Sequence, residues 1–406
     1  VWISGEKCLM EKSTVQLRSF PYPYRAMLAI CSDLDETPDR RVYWEIMQFL
    51  NTTEETAMGP GMGLEVGNSI YFDMPPDQFA YWNTDDVGRK MVRLLIQSGH
   101  IDCLHSYGDL ATTRKRAAQA LDELTRHNFG LDIMQGHGDE VGHEAYHADL
   151  MLDYGIRYVW RARVTSLTGQ DIPADLNGIF NWRHPVRSGQ TLLKEAAKRK
   201  LAQKGNGKYA MHGPNETLRL TVLRDGSSVY EFMRCNPHWG GVSSCEEGRY
   251  IGEVLTDEML NRLAERGSTC ILYTHLGKID NPDVPFNERA VNAFRRLAEA
   301  YRCGRILVTT TRRLLGYRRA VREIDYESNW GGEHLRIDVD TLSGESSVGR
   351  LSTSDWDGLT FYVPDPKKAS MTIDGKDLMN LQCNAPDHTG RPSVSIAWPM
   401  LEFPEV

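Results

Sequence analysis

Three short apolar runs in this chain end in groups that bind metals or move protons, and this recurrence restricts the fold more than any other feature. Ala29-Ile30-Cys31-Ser32 runs into Asp33-Leu34-Asp35. Ile101-Asp102-Cys103-Leu104 ends at His105, four positions before Asp109, and Cys270-Ile271-Leu272-Tyr273-Thr274 ends at His275. Strand ends that open on one mouth are where α/β barrels collect catalytic residues.

Other strand and helix signals alternate around these three. Expected strands are Ala26 to Ser32, Leu64 to Phe72, Ile101 to His105, Leu131 to Gly136, Ile156 to Trp160, Cys270 to His275 and Ile306 to Thr310. Helical patterns lie at Arg40 to Leu50, Asp85 to Gln97, Thr112 to Arg126, Glu144 to Tyr154, Asp257 to Glu265 and Asn287 to Tyr301. Alternation of this kind predicts a parallel sheet covered by helices, and strands apolar on both faces fit that burial. From Asn181 to Gly248 the rhythm breaks. A basic helical patch, Leu193 to Lys204, is followed by a hairpin-like pair around Asp225-Gly226, which predicts an insertion decorating the mouth. After Asn329-Trp330-Gly331-Gly332 short alternating segments predict an all-β appendage. The expected division is a (β/α) barrel over 1–328, with its insertion at 181–248, and a β-sandwich-like domain over 333–406.

Composition sets outer bounds. With 406 residues, 41% hydrophobic and 25% charged, the chain has room for one large domain or two unequal ones. A net charge of -8 gives no reason to expect nucleic acid as a partner. No run is long and apolar enough to predict a membrane span. The eight cysteines lack the paired short spacings of a zinc ribbon. Cys31, Cys103 and Cys270 fall in expected buried strands as small apolar side chains, which favours a reduced, cytoplasmic setting. Export is the alternative if a leader was removed before Val1, and Cys235 and Cys245 could then pair.

In order and placement, these motifs resemble the polysaccharide deacetylases of the NodB type, over roughly residues 25 to 315. The resemblance implies a distorted (β/α) barrel and a metal-dependent hydrolase that removes the acetyl group of an N-acetylated sugar or polysaccharide precursor. The family's paired aspartates, one a base and one a metal ligand, look like Asp33 and Asp35, here separated by Leu34. Two residues apart on an extended segment, both carboxylates can face the mouth. The family's Gly-His followed by His-Ser/Thr is similar to Gly99-His100 and His105-Ser106, with Asp109 standing where a second histidine belongs. On this pattern His100 is structural, while Asp35, His105 and Asp109 hold one divalent cation; two carboxylates and an imidazole suit zinc and tolerate harder ions. The late strand ending in the family's catalytic acid is similar to Leu272-Tyr273-Thr274-His275. Asp153 to Trp160 resembles a further family strand, and Asn181-Trp182-Arg183 resembles its Asp-Trp loop.

The chemistry is complete on paper. Amide hydrolysis needs an activated water, a stabilised oxyanion and a proton for the leaving amine. Asp33 as base, His275 as acid and a metal on Asp35, His105 and Asp109 supply these. His137, Arg161 and Trp182 are candidate sugar contacts, and Pro237 to Gly241, with Arg163, could line a subsite. Aromatic side chains between Tyr71 and Trp82 suit sugar stacking. Carbohydrate is thus the expected partner. The alternatives are a metal-dependent glycosidase or other amide hydrolase on the same barrel, and a catalytically silent carbohydrate-binding protein.

Overall fold

The structure is a computed structural model that describes residues 15–34, 36–105, 113–136, 143–223, 225–342 and 348–405, with the side chains of 143–148 outside that description. Its main element is a curled, mostly parallel sheet. In chain order the strands are β1 (Ala26–Ser32), β2 (Asn68–Ile70), β3 (Ile101–His105), β4 (Ile133–Gly136), β5 (Tyr158–Arg161), β6 (Val164–Thr165), β7 (Leu218–Val222), β8 (Ser228–Phe232), β9 (Arg234–Cys235), β10 (Thr269–Thr274) and β11 (Ile306–Thr309). The main helices are α1 (Arg40–Asn51), α2 (Asp86–Gln97), α3 (Arg114–Arg126), α4 (His143–Tyr154), α5 (Pro185–Gln203), α6 (Asp257–Glu265), α7 (Glu288–Arg302) and α8 (Thr311–Glu323).

β1 shows why the chain folds this way. All seven of its residues are buried. Its alternate side chains face two apolar layers, Ala26, Leu28 and Ile30 outward under the helices and Met27, Ala29 and Cys31 inward. A strand with two apolar faces is stable only when both are covered, as in a parallel α/β sheet. β1 pairs with β10 from Met27↔Thr269 to Ser32↔Thr274. On its other edge Ala26 to Ala29 pair with β11, and Ser32 pairs with Asn68 of β2. Helix starts are set by capping side chains: Asp39 accepts from Val42 N at 2.9 Å, Asp85 from Gly88 N at 2.8 Å and Asn287 from Ala290 N at 3.0 Å. With Asp39 as the cap of α1, Asp33 is free of that duty.

In space the strands run β7-β8-β5-β4-β3-β2-β1-β10-β9-β6, with β11 beside β1. β8 and β9 are joined along the chain and not by a ladder, and two strand tracks bend together there. β8 pairs with β5 and β9 pairs with β6, both in parallel, with Ala162 between β5 and β6 at φ 56°. This corrects the expectation for 181–248. Leu218–Val222 and the segment from Ser228 to Cys235 are part of the sheet, and the part before them, with α5, stands as an addition.

Near the C-terminus two four-stranded sheets share a core of Leu335, Ile337, Val339, Trp356, Phe361, Met371 and Val394. Asn329 to Gly332, expected as a boundary, instead forms the end of a hairpin whose strands, Ile324–Gly331 and His334–Thr341, begin directly after α8. The two-residue strand Gln16–Leu17 joins one of these sheets through Thr360–Tyr362, so this region draws on both ends of the described chain.

Candidate functional site

Parallel pairing brings the carboxyl ends of β1, β3 and β10 to one side of the sheet, and with them Asp33, His105 and His275. Backbone bonds fix the first and last against each other. Asp33 N donates to Thr274 O at 2.9 Å, and Leu276 N donates to Ser32 Oγ at 2.9 Å. The His275 peptide is held from the other side, its N donating to Glu246 O at 2.6 Å and its O accepting from Gly248 N at 2.8 Å.

One oxygen of Asp33 is the focus of the cluster. Oδ2 lies 3.0 Å from Arg234 Nη2, 3.6 Å from His105 Nε2 and 3.8 Å from His275 Nε2. Asp33, His105 and Arg234 are fully buried, and His275 nearly so. Burial alone would push the Asp33 carboxyl up, but Arg234, then His105 and His275, outweigh it and hold the group well below the usual carboxylate range. His275 is pulled down to about 4, first by burial, with Asp33 opposing. At neutral pH the pair is therefore an ionised carboxylate beside a neutral imidazole.

Arg234 is the residue that sequence reasoning missed. It donates to Cys31 O at 2.7 Å and to Gln135 Oε1 at 3.0 Å, as well as to Asp33. Its guanidinium lies 4.3 Å from the ring centres of both Trp160 and Tyr273, a cation held between two aromatic faces. Tyr71, among the aromatic side chains suited to sugar stacking, is buried and stacks on His105 with centroids 4.2 Å apart. The only hint in the sequence was a charge inside an apolar strand pattern, Phe232-Met233-Arg234-Cys235.

The other expected site residues are distributed unevenly. Asp35, Asp109 and His137 lie outside the described residues. Arg161 is held by Glu231 at 3.2 and 3.0 Å and by Thr221 at 3.1 Å, and Arg163 also pairs with Glu231. These bonds tie Arg161 into the sheet wall. Trp182 is 85% exposed beside Phe180, ahead of α5, and no described contact links it to Asp33, His105 or His275. His100 is buried, with Nδ1 2.9 Å from Ser98 Oγ, as a structural residue should be. Cys235 and Cys245 do not pair: the first lies against Cys270, and the second donates towards Glu253.

Donor chemistry at the cluster fits a divalent cation. Asp33 Oδ1 is buried with no hydrogen-bond partner among the described residues. The 3.6 Å between Asp33 Oδ2 and His105 Nε2 is long for a hydrogen bond. A second group, His238, Cys245 and Glu253, brings ligand atoms within 4.8 Å of one another. There, however, Gly240 N donates to His238 Nδ1 at 3.1 Å, which leaves the neutral ring's proton on Nε2, the atom nearest Glu253. His238 Nε2 lies 3.7 Å from Glu253 and has no hydrogen-bond partner among the described residues, so ligation through it requires the other tautomer of the ring. No model of a known protein family matches the chain, and no curated protein matches it.

Proposed function

We propose that this protein is a metal-dependent hydrolase that removes the acetyl group from an N-acetylated sugar or polysaccharide precursor, on a distorted barrel of the polysaccharide-deacetylase type with a C-terminal β-domain. The observation that carries this reading is the convergence of His105 and His275 on one oxygen of Asp33 at a common end of parallel strands. His105, with Asp35 and Asp109, would hold one divalent ion, zinc by donor type. Such an ion, when bound, lowers the pKa of its water and polarises the acetyl carbonyl.

The chain's own residues move the proton. Asp33 and His275 act as a unit that takes one proton from the attacking water, and Nε2 of His275 returns it to the amide nitrogen as the carbon–nitrogen bond breaks. Oxygen ends on the acetyl carbon, the transferred proton ends on the sugar amine, and the second proton of the water leaves the acetic acid for solvent, giving acetate. Arg234 and its two aromatic neighbours keep the Asp33 carboxylate in place throughout.

The test is release of acetate from N-acetylated chitooligosaccharides, measured beside the release of reducing ends. Acetate release that stops on chelation and returns with zinc supports the proposal. New reducing ends without acetate would point to a glycosidase, and sugar binding that survives chelation without turnover would point to a silent binding protein.

A further inference from the structure

α5 carries an apolar stripe that faces solvent. Val186 is 73% exposed and Leu193 68% exposed, and Leu201 and Ala197 are also exposed. Spacings of seven, four and four residues align Val186, Leu193, Ala197 and Leu201 along one side of a helix. Trp182, the most exposed large side chain of this region, stands one turn ahead of Val186. Basic groups border the stripe, with Arg187, Lys194, Lys200 and Lys204 all exposed.

The other face of α5 is anchored, so the stripe cannot turn inward. Ser188, Thr191 and Glu195 are buried. Glu195 accepts from Thr165 Oγ1 at 2.8 Å and from Ser166 N at 3.2 Å, and Lys198 Nζ donates to Val164 O at 2.8 Å. His184, the cap position, stacks on Trp239 with centroids 3.9 Å apart.

Charge identifies the occupant. Residues 182–208 hold eight lysines and arginines and one acid, the buried Glu195, in a chain whose net charge is -8. A locally cationic helix on an acidic protein selects an anionic surface. A soluble polyanion would satisfy the cations but would give Val186, Leu193 and Leu201 no escape from water. A second copy docked by the same face would set eight basic residues against eight others, since a two-fold interface pairs a patch with itself. We propose that α5 is an interfacial helix that lies on an anionic phospholipid surface, its Trp, Val and Leu side chains entering the acyl boundary and its Lys and Arg side chains pairing with the phosphates. α5 rests on Thr165 at the carboxyl end of β6, so docking there brings the candidate site's side of the sheet towards the lipid.

The experiment is co-sedimentation of the full chain with vesicles of phosphatidylcholine alone or mixed with phosphatidylglycerol. Binding is expected only to the mixed vesicles and should weaken as salt is raised. The double variant Val186→Asp, Leu193→Asp alters exposed positions and should bind about tenfold or more weakly with its circular dichroism unchanged. Lys194→Glu with Lys200→Glu keeps the stripe and should lose the preference for phosphatidylglycerol. The proposal is overturned by equal sedimentation with both vesicle types, by binding to dextran sulfate without binding to vesicles, or by a dimer that Leu193→Asp dissociates.

Discussion

Arg234 Nη2 donates to Asp33 Oδ2 at 3.0 Å across 201 positions of sequence, and neither side chain has any exposure to solvent. A buried ion pair of this kind adds little net stability when intact but is costly when halved, because one charge is left without a partner. Arg234→Met should therefore lower the unfolding free energy by about 3–5 kcal/mol. Asp33→Asn in the same background should recover part of that loss. Urea titrations of the two single variants and the double variant measure the coupling directly; a cost within error of zero for Arg234→Met would show that the pair does not organise the site.

Replacing the two histidines should have different consequences. His275→Ala is expected to keep bound zinc and to slow acetate release by about two to four orders of magnitude, the usual contribution of a positioned acid or base. His105→Ala should lose zinc and activity together. Metal content measured alongside kcat separates the roles, and loss of zinc from the His275 variant would reverse the assignment.

Gly248 supports His275 through the backbone. A Cβ at this position would lie 2.6 Å from Leu276 O, and its own N donates to His275 O. Gly248→Ala should therefore displace the peptide carrying the imidazole and reduce turnover by about tenfold or more, with binding of zinc preserved. Wild-type kcat in this variant would mean that the contact is slack.

Acid dependence of stability should have an identifiable contributor in Asp102. Burial raises its carboxyl to about 6, opposed by the bond it accepts from Arg312 N at 2.7 Å. Because the folded state holds this proton more tightly than the unfolded chain, the contribution is full below the ordinary value near 3.8 and is lost as pH rises through about 6. Asp102→Asn keeps an acceptor for Arg312 and removes the titration. Relative to the variant, the wild type should lose up to about 3 kcal/mol between pH 4 and 7. Parallel denaturation curves over that range would contradict this.

The barrel-like wall was legible because parallel burial writes itself into the chain. β1 and β3 coincide with their expected bounds, since a short, mainly apolar run closed by Asp or His has few other uses. Asp33, His105 and His275 could be named for the same reason: each is the first chemical group after such a run. Aromatic residues near the mouth were misjudged, because a run such as Tyr71 to Trp82 looks the same whether its rings face sugar or, like Tyr71 on His105, pack inside.

By itself the sequence determined several buried strands, the residues at their ends and the starts of helices such as α1, α2, α6 and α7, because period, capping groups and apolar runs are local properties; it missed α8 (Thr311–Glu323) and the first two turns of α5. Only the tertiary structure decided that Arg234 would meet Asp33, that Glu231 would take Arg161 and that Ser228 to Cys235 would complete the wall. Those outcomes rest on pairings between strands distant in sequence, such as Tyr158 of β5 with Tyr230 of β8 and Cys235 of β9 with Leu272 of β10. No local pattern encodes the register of such a pairing. It is set when the whole sheet curls and buried backbone groups find partners.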